Sequence, residues 1–521
     1  MPTLLHAHPT VERNAATKSA LVAMAKKNKP KRTKPRRLKG FRDIAAADVS
    51  ARDRMIAQIR AVYECYGFTP LETPGMEYVD VLGKFLPEVD QPDAGIFAMR
   101  NEDEEWIGLR YDLTAPLSRY VAMNLQDLPL PFRRYQVGPV YRVEKPGPGR
   151  FREFYQFDFD SVGAASMLAD AECCMVMCDT LEALGITRGD YVVRVNDRKV
   201  LDGVLERVAS LRALEATTAP DILRSIDKLD RVGLDGVKLL LGAGRKDESG
   251  DFAKGVGLSP EQIDVVTQFL EVKGDSRKAM CDSLATIVGH SDVGLEGIDE
   301  LRQIDDALAG AGYAEDRVVI DPTVVRGLAY YTGPVFEGVL TFDTVGDDGV
   351  TRQFGSVFGG GRYDDLVSRF TGQKVPATGA SIGVDRLLSA LRALGKINDD
   401  ATGAAVLVTR LDNNLTTEYL QMTAKLRTAG IHTELYVGKQ GIGKQFKYAS
   451  DSGKTLCVVM GSDELEKGEV SIKDLRLGRE LAEDIGPDRK KWLEEQPAQF
   501  TTPRTSLVDS VKEVLARYVT R

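Results

Sequence analysis

The strongest constraint on this chain is a pair of neighbouring segments, 134–144 and 151–160, joined by the turn-rich loop Lys145-Pro-Gly-Pro-Gly149. Side chains of a strand alternate between its two faces, so each segment can be split by parity. In the first, one face carries Gln136, Gly138, Val140, Arg142 and Glu144, and the other carries Val137, Pro139, Tyr141 and Val143. In the second, one face carries Arg152, Phe154, Gln156, Asp158 and Asp160. Its other face carries Phe151, Tyr155, Phe157 and Phe159, with Glu153 as the single charge. Each segment thus has an apolar face for a core and a polar face. Short links and this alternation predict an antiparallel sheet with one working face, rather than a doubly wound parallel sheet.

The polar face suits a nucleotide. Arg142 offers a planar, permanently charged fork for a phosphate. Phe154 offers a flat apolar surface for a base, and Glu144 can accept from an exocyclic amine. Gln156 and Asp160 are placed to hold a polar or cationic small molecule further along. For one strand alone, a solvated face with ordinary cross-strand ion pairs is the better reading. Two adjacent strands with the same split favour a site.

Around this hairpin the chain divides by pattern. Asp48–Tyr66 reads as a helix with Met55, Ile59, Val62, Tyr63 and Tyr66 on one face, stopped by Gly67. Residues 165–315 are mostly helical in pattern. Within them Cys174 and Cys178, one helical turn apart, read as buried small hydrophobes rather than metal ligands. Sheet-like patterns return at 317–331, 335–342 and 352–358, and a helix follows over 383–394. Residues 404–460 form a βαβαβ pattern, which predicts a separate small domain with a parallel sheet. The expected organisation is a basic arm (1–39), a main domain (40–400) with a helical insertion at about 185–315, an α/β module (401–485) and a polar tail (486–521). That tail carries one amphipathic helix, 506–519.

Composition excludes several classes. No run of about 18 apolar residues exists, so no transmembrane helix is expected. Six Cys without framework spacing fit a reducing compartment. Four His, at 6, 8, 290 and 432, weaken any His-based metal site or Ser-His-Asp triad. The formal charge of −8 hides an asymmetry. Eleven Lys and Arg against Glu12 alone give +10 over residues 1–39, leaving −18 for the rest. The arm reads either as a disordered contact to phosphate backbone or as a solvated tail. Gly438–Gln445 almost matches a phosphate-binding P-loop, but Gln445 stands where that motif needs a hydroxyl for magnesium. A glycine-rich turn opening a helix can still bind an anion such as RNA phosphate.

Two further blocks are rich in glycine, cations and aromatics: Arg326-Gly-Leu-Ala-Tyr330-Tyr331-Thr-Gly333 and Phe358-Gly-Gly-Gly-Arg-Tyr-Asp364. Taken singly, a tight turn explains the glycine run, and a surface ion pair explains Arg386 in the first turn of its helix. Taken together, the segments resemble class II aminoacyl-tRNA synthetases, and specifically the histidyl-tRNA synthetase family. Pro74 within Leu71–Glu77 resembles the family's first motif, a dimer-interface element. Arg142-x-Glu144 with Arg152-Glu-Phe154 resembles the second motif, and Gly383-Val-Asp-Arg386 the third. The two glycine-rich blocks are similar to the histidine-specific motifs. The resemblance covers about Gly40 to Leu481 and is absent from the arm and tail.

The resemblance implies an α+β fold: a class II synthetase-like antiparallel sheet flanked by helices, with a helical insertion and a C-terminal α/β anticodon-binding-like domain. It implies a cytoplasmic homodimer that binds L-histidine, ATP with Mg2+, and tRNA-His, with no tightly bound protein metal and no membrane partner. Arg142 would hold the α-phosphate and approach the histidine carboxylate. Glu144 would read the adenine amine, with Phe154 under the ring and Arg386 over it. Asp112 and Thr114, with Gln156, would fix the histidine amino group, and Asp160, Tyr330 and Tyr331 would line the imidazole pocket. Arg326 would stabilise charge building on the α-phosphate, so Arg326 and Arg142 are the expected catalytic pair. Lys145, Arg150 and Arg152 would approach the acceptor end of tRNA, and Lys439, Lys444 and Lys447 its anticodon side. The attacking carboxylate is already ionised at neutral pH, so the first step needs no protein base. Two departures from the family pattern stand out. Ala329 replaces an Asp of many members. Gly147 replaces a polar residue near the extra first nucleotide of tRNA-His, which implies altered recognition of that nucleotide. Two rival readings are non-enzymatic: a regulatory subunit of ATP phosphoribosyltransferase, and an RNA-binding protein built on a dead synthetase domain.

Overall fold

The computed structural model describes residues 33–83, 85–86, 91–146, 150–214, 218–246, 252–325, 331–345, 349, 351–397, 405–484 and 498–519. Most of the basic arm, Gly147, Arg326, Ala329 and Tyr330 therefore lie outside the described residues.

The main domain is built on an eight-stranded sheet. In spatial order its strands are Thr69–Pro70, Phe132–Tyr141, Glu153–Val162, Ala377–Gly383, Thr351–Arg362, Pro334–Val345, Tyr191–Asp197 and Val318–Ile320. The outermost pair at each edge is parallel and every pair between them is antiparallel. The hairpin register opposes Gly138 to Gln156, Gln136 to Asp158 and Arg134 to Asp160, so the polar residues of both strands share a face.

The opposite face is a core of rings. Tyr63, from the helix Ala46–Cys65, lies 4.8 Å from Phe157 and 4.9 Å from Phe159, and Phe68 lies 5.3 Å from Phe159. Tilted and edge-to-face aromatic pairs of this kind add about 0.5–1.5 kcal/mol each beyond area burial. Cys173, Cys174 and Cys178 are buried on the helix Leu168–Ala183 behind the same sheet. Burial pushes all three thiols up, so they are inert packing groups.

Three expectations change. Residues 185–315 are not wholly a helical insertion, because Tyr191–Asp197 is an inner strand of the main sheet. Of 317–331, only Val318–Ile320 is strand among the described residues. The C-terminal module is only partly parallel. Val406–Val408 pairs parallel with Thr433–Leu435 and Leu456–Val459, but Glu469–Asp474 and Gln499–Pro503 add antiparallel. That last strand comes from the segment expected as a tail. The following helix, Leu507–Val519, buries Leu507, Val511 and Val514 in the module's core with Tyr419, Met422 and Ile472. No described helix is long and apolar enough to cross a membrane.

A three-stranded sheet, Met76–Tyr78, Trp106–Leu109 and Ala98–Arg100, stands beside the main one. Its register aligns Tyr78, Ile107 and Met99 in one row, and Met76, Tyr78 and Met99 are 39, 45 and 48% exposed. The opposite face of this sheet carries buried Glu77, gripped by Arg119 at 2.7 Å. Pro74 is exposed just before the first of these strands.

The terminal helix provides a test of the domain boundary. Leu507→Ala should cost the module about 2–5 kcal/mol, the usual price of a buried Leu deletion. Urea unfolding checks this, and a change within about 0.5 kcal/mol would mark 499–519 as a surface appendage.

Candidate active site

A cavity of about 540 Å³ opens on the polar face of the main sheet. Among the predicted residues, Asp112, Thr114, Arg142, Gln156, Tyr331 and Arg386 line it. The short helix-start segment Tyr111–Thr114 supplies one wall. There the Asp112 carboxylate accepts from the Ala115 backbone at 2.9 Å at the start of the helix Thr114–Asn124, which satisfies one of the donors a helix N-terminus exposes.

The arginines are held from behind. Arg142 Nε donates to the Tyr111 carbonyl at 3.1 Å, and its guanidinium lies 5.1 Å from the Phe154 ring centroid. Arg386 donates to the Phe354 carbonyl at 2.6 Å and stacks 5.2 Å from the Phe354 ring. It sits in the first turn of the helix Val384–Ala393. The neighbouring Asp385 accepts from the Tyr155 backbone at 2.8 Å and pairs with Arg42, which ties that helix to the hairpin.

Deeper in, the site is a cluster of carboxyls around one cation. Arg134 has no exposed surface and pairs with Asp160 at 2.8 Å. It also donates to the Leu113 carbonyl at 3.1 Å. Tyr363, from the glycine-rich block, donates to Asp160. Asp160 is thus buried beside the cavity and does not line it. Asp158 does, and parity put it on this face without assigning it a role. Burial raises Asp160, opposed by Arg134 and the Tyr363 hydroxyl. Burial also raises Asp158, to about 7, with Arg134 opposing and Asp160 adding to the rise. Asp112 is raised by burial and held back by backbone donors and Arg142. Tyr331 is pushed up by burial, with the charges of Asp158, Asp160 and Asp112 adding to the rise. Gln156 donates to Ser381 at 2.9 Å.

The glycine run is strand, not turn. A side chain at Gly360 would meet the Gly379 carbonyl at 2.3 Å, and one at Gly361 would meet the Tyr331 ring at 2.8 Å. Nothing lies within 4 Å of the Cβ position at Gly359, which is part of the cavity floor. Sequence reasoning missed Glu337, Ser356 and Ser381 in the lining. They stand on strands joined to the hairpin only through long-range pairing, so no local signal marks them.

The remaining predicted residues lie elsewhere. Glu144 and Lys145 are exposed on the hairpin loop, with Arg150 beyond it. Arg152 is drawn inward, where its backbone donates to Gly40 at 2.8 Å and its side chain to the Glu144 carbonyl at 3.0 Å. In the C-terminal module Lys439, Lys444 and Lys447 are exposed at and beyond the start of the helix Ile442–Asp451. Lys447 pairs with Asp451 at 3.1 Å. Gln445 is buried, and its amide closes on the Arg410 backbone at 2.8 and 2.7 Å and on the Gln440 carbonyl at 2.8 Å. The P-loop-like position is a structural lock.

Residues 40–387 match the model of the histidyl-tRNA synthetase family, and 405–485 match an anticodon-binding domain. The chain belongs to the histidyl-tRNA synthetase family. It is 52% identical over 519 residues to a histidine–tRNA ligase of Roseobacter denitrificans, covering 95% of this chain and 99% of that one. It is equally identical to a histidine–tRNA ligase of Rhizobium rhizogenes, with 94 and 97% covered. A crystal structure of histidyl-tRNA synthetase from Nostoc superposes with a TM-score of 0.69 at 32% identity, over 92% of this chain and all of that one. A structure from Bacillus halodurans, described as an ATP phosphoribosyltransferase regulatory subunit/histidyl-tRNA synthetase, shares the fold at TM-score 0.62 and 22% identity, with 80 and 97% covered.

Asp158 yields a pH prediction. Its folded value lies above the ordinary 3.8, so the folded chain keeps a proton that the unfolded chain releases between about 4 and 7. That contribution to stability is complete below pH 4 and is lost as pH rises to 7, at up to about 1.4 kcal/mol per unit. Asp158→Asn should flatten this slope in denaturant titrations between pH 4 and 7. An unchanged slope would mean that Asp158 is ionised throughout.

Proposed function

We propose that the chain is a histidine–tRNA ligase. It joins L-histidine to ATP, giving histidyl-adenylate and pyrophosphate, and then transfers the histidyl group to the 3′ end of tRNA-His. The observation that carries this reading is one cavity with two chemistries in a chain related end to end to such ligases. Arg142 and Arg386 are anion-binding groups, and Asp112, Thr114, Gln156, Asp158 and Tyr331 are cation- and amide-binding groups.

In the first step a carboxylate oxygen of histidine forms a bond to the α-phosphorus of ATP, and the bond from that phosphorus to the bridging oxygen of pyrophosphate breaks. No proton moves, so the protein's task is positioning and charge stabilisation. Arg142 holds the α-phosphate and the entering carboxylate, and Arg326 adds positive charge as the transition state develops. Phe154 and Arg386 hold adenine between them, Glu144 reads its amine, and magnesium enters with ATP as part of the substrate. Asp112, Thr114 and Gln156 take the histidine ammonium. Tyr331, with Asp158 and Asp160 near it, forms the imidazole end, and Tyr330 is assigned to it from the sequence. A buried polar pocket of this type rejects amino acids that cannot satisfy it. In the second step a ribose hydroxyl of the terminal adenosine attacks the histidyl carbonyl, the bond from that carbon to the phosphate oxygen breaks, and AMP leaves with the hydroxyl proton passing to its phosphate or to water.

The apolar face that exposes Met76, Tyr78 and Met99 next to Pro74 is the surface through which two copies pair. Lys145 and Arg150 meet the acceptor stem, with Arg152 bracing the loop beside them, and Lys439, Lys444 and Lys447 meet the anticodon side. The anticodon-binding module distinguishes this reading from that of a regulatory subunit. We place the enzyme in the cytoplasm.

Histidine-dependent exchange between ATP and pyrophosphate tests the activity, and its absence from pure protein with magnesium would overturn it. Arg326→Ala should lower exchange by about 10²–10³, the usual cost of one oxyanion-type donor, while sparing ATP binding. Equal loss of both would reassign that residue. Deleting residues 1–38 should weaken tRNA binding and flatten its salt dependence without changing adenylate formation. Unchanged affinity would leave the arm a solvated tail.

A further inference from the structure

We propose that Asn196 is a positioning residue for the histidine pocket, acting through the backbone of Pro322 and Val324. This rests on the functional reading above. Asn196 is the last residue but one of the inner strand Tyr191–Asp197 and has no exposed surface. Its amide nitrogen donates to two carbonyls at once, Pro322 at 3.2 Å and Val324 at 3.0 Å. Both belong to the irregular stretch after the strand Val318–Ile320, where no ladder partner is available. Val324 and Tyr331 line the cavity.

The same strand end holds the other side of this crossing. The Arg198 backbone donates to the Gly333 carbonyl at 2.9 Å, and Pro334 pairs with Asp197. Upstream, Asp321 donates its backbone N–H to the Val195 carbonyl at 2.8 Å and accepts from Thr323 through both backbone (2.9 Å) and hydroxyl (2.7 Å). The backbone beside two cavity-lining residues, Val324 and Tyr331, is therefore anchored to residues 195–198 at one end of this strand. Arg326 lies between Val324 and Tyr331 in sequence.

Asparagine is the side chain this junction requires. Its amide has two donor hydrogens on one nitrogen, at the length that reaches both carbonyls. Aspartate has the shape but no donor, and leucine fills the space but leaves both carbonyls buried and unpaired. A buried polar group stripped of its partner shifts to find another. The segment that moves would be the one carrying Val324 toward the ligand.

The test compares full-length wild type with Asn196→Ala, Asn196→Asp and Thr323→Val in histidine-dependent ATP–pyrophosphate exchange, with melting followed in parallel. Thr323 is partly exposed, so its variant keeps the test alive if those at 196 fold poorly. The expected result is a loss in kcat/KM for histidine of about 10–100-fold for Asn196→Ala, the scale of an ångström-sized misplacement. Thr323→Val should shift it in the same direction by less, and the KM for ATP should change less than about twofold. A lowered Tm with unchanged histidine parameters, or parallel loss for ATP and histidine, would overturn the inference. Absence of exchange by wild type would instead overturn the functional reading on which it rests.

Discussion

A guanidinium with no exposed surface sits under the working face of the main sheet, and the site depends on it. Placing Arg134 there carries a desolvation cost of several kcal/mol, offset only if its partners are well placed. Asp160 supplies the charge and the Leu113 carbonyl an acceptor. Leu113 separates Asp112 from Thr114, so the ion pair that neutralises the core also fixes the segment presenting both side chains to the cavity. Tyr363 ties Asp160 to the glycine-rich strand, joining elements two hundred residues apart. Arg134 is the cation that opposes the buried carboxyls of both Asp158 and Asp160, which leaves this end of the pocket short of positive charge. Asp158 compensates by taking up a proton near neutrality. A ligand ammonium or imidazolium would do the same work at this end of the pocket.

Much of this was legible because a strand has a period of two. Parity alone put Arg142, Phe154, Gln156, Asp158 and Asp160 on one face, and the hairpin register agrees. It gave no depth. Whether Asp158 or Asp160 reaches the cavity depends on Ser381, Tyr363 and Arg134, which lie on three other strands or their ends. The strand Tyr191–Asp197 was submerged in a helical pattern for a related reason. It is short, its neighbours in sequence are helices, and its partners lie more than a hundred residues downstream. The strand Gln499–Pro503 is similar: it exposes Phe500 and buries Thr502, so its pattern misleads and only the edge it covers identifies it. Short motifs with unusual residue types were readable, whereas pairing between distant elements was not.

Burial separates the two glycine-rich features that look alike in sequence. At Gly359–Gly361 the missing side chains let a neighbouring strand and the Tyr331 ring approach, and the open position at Gly359 faces the cavity. At Gly438–Gln445 the loop closes on itself. The Gln445 amide takes the Arg410 and Gln440 backbone groups that a free loop would leave open. A P-loop must keep its amides and its final hydroxyl available to phosphate and magnesium. The lock spends its final side chain internally, which leaves only the exposed lysines Lys439 and Lys444 to meet an anion. Such a surface attracts a polyanion through charge alone, with strong salt dependence and little power to single out one nucleotide. The two glycine-rich features therefore differ in what they could serve: the first a ligand in the cavity, the second contact with RNA. The acidic average of the chain is no obstacle to the second, because local basic surface rather than net charge decides where RNA binds.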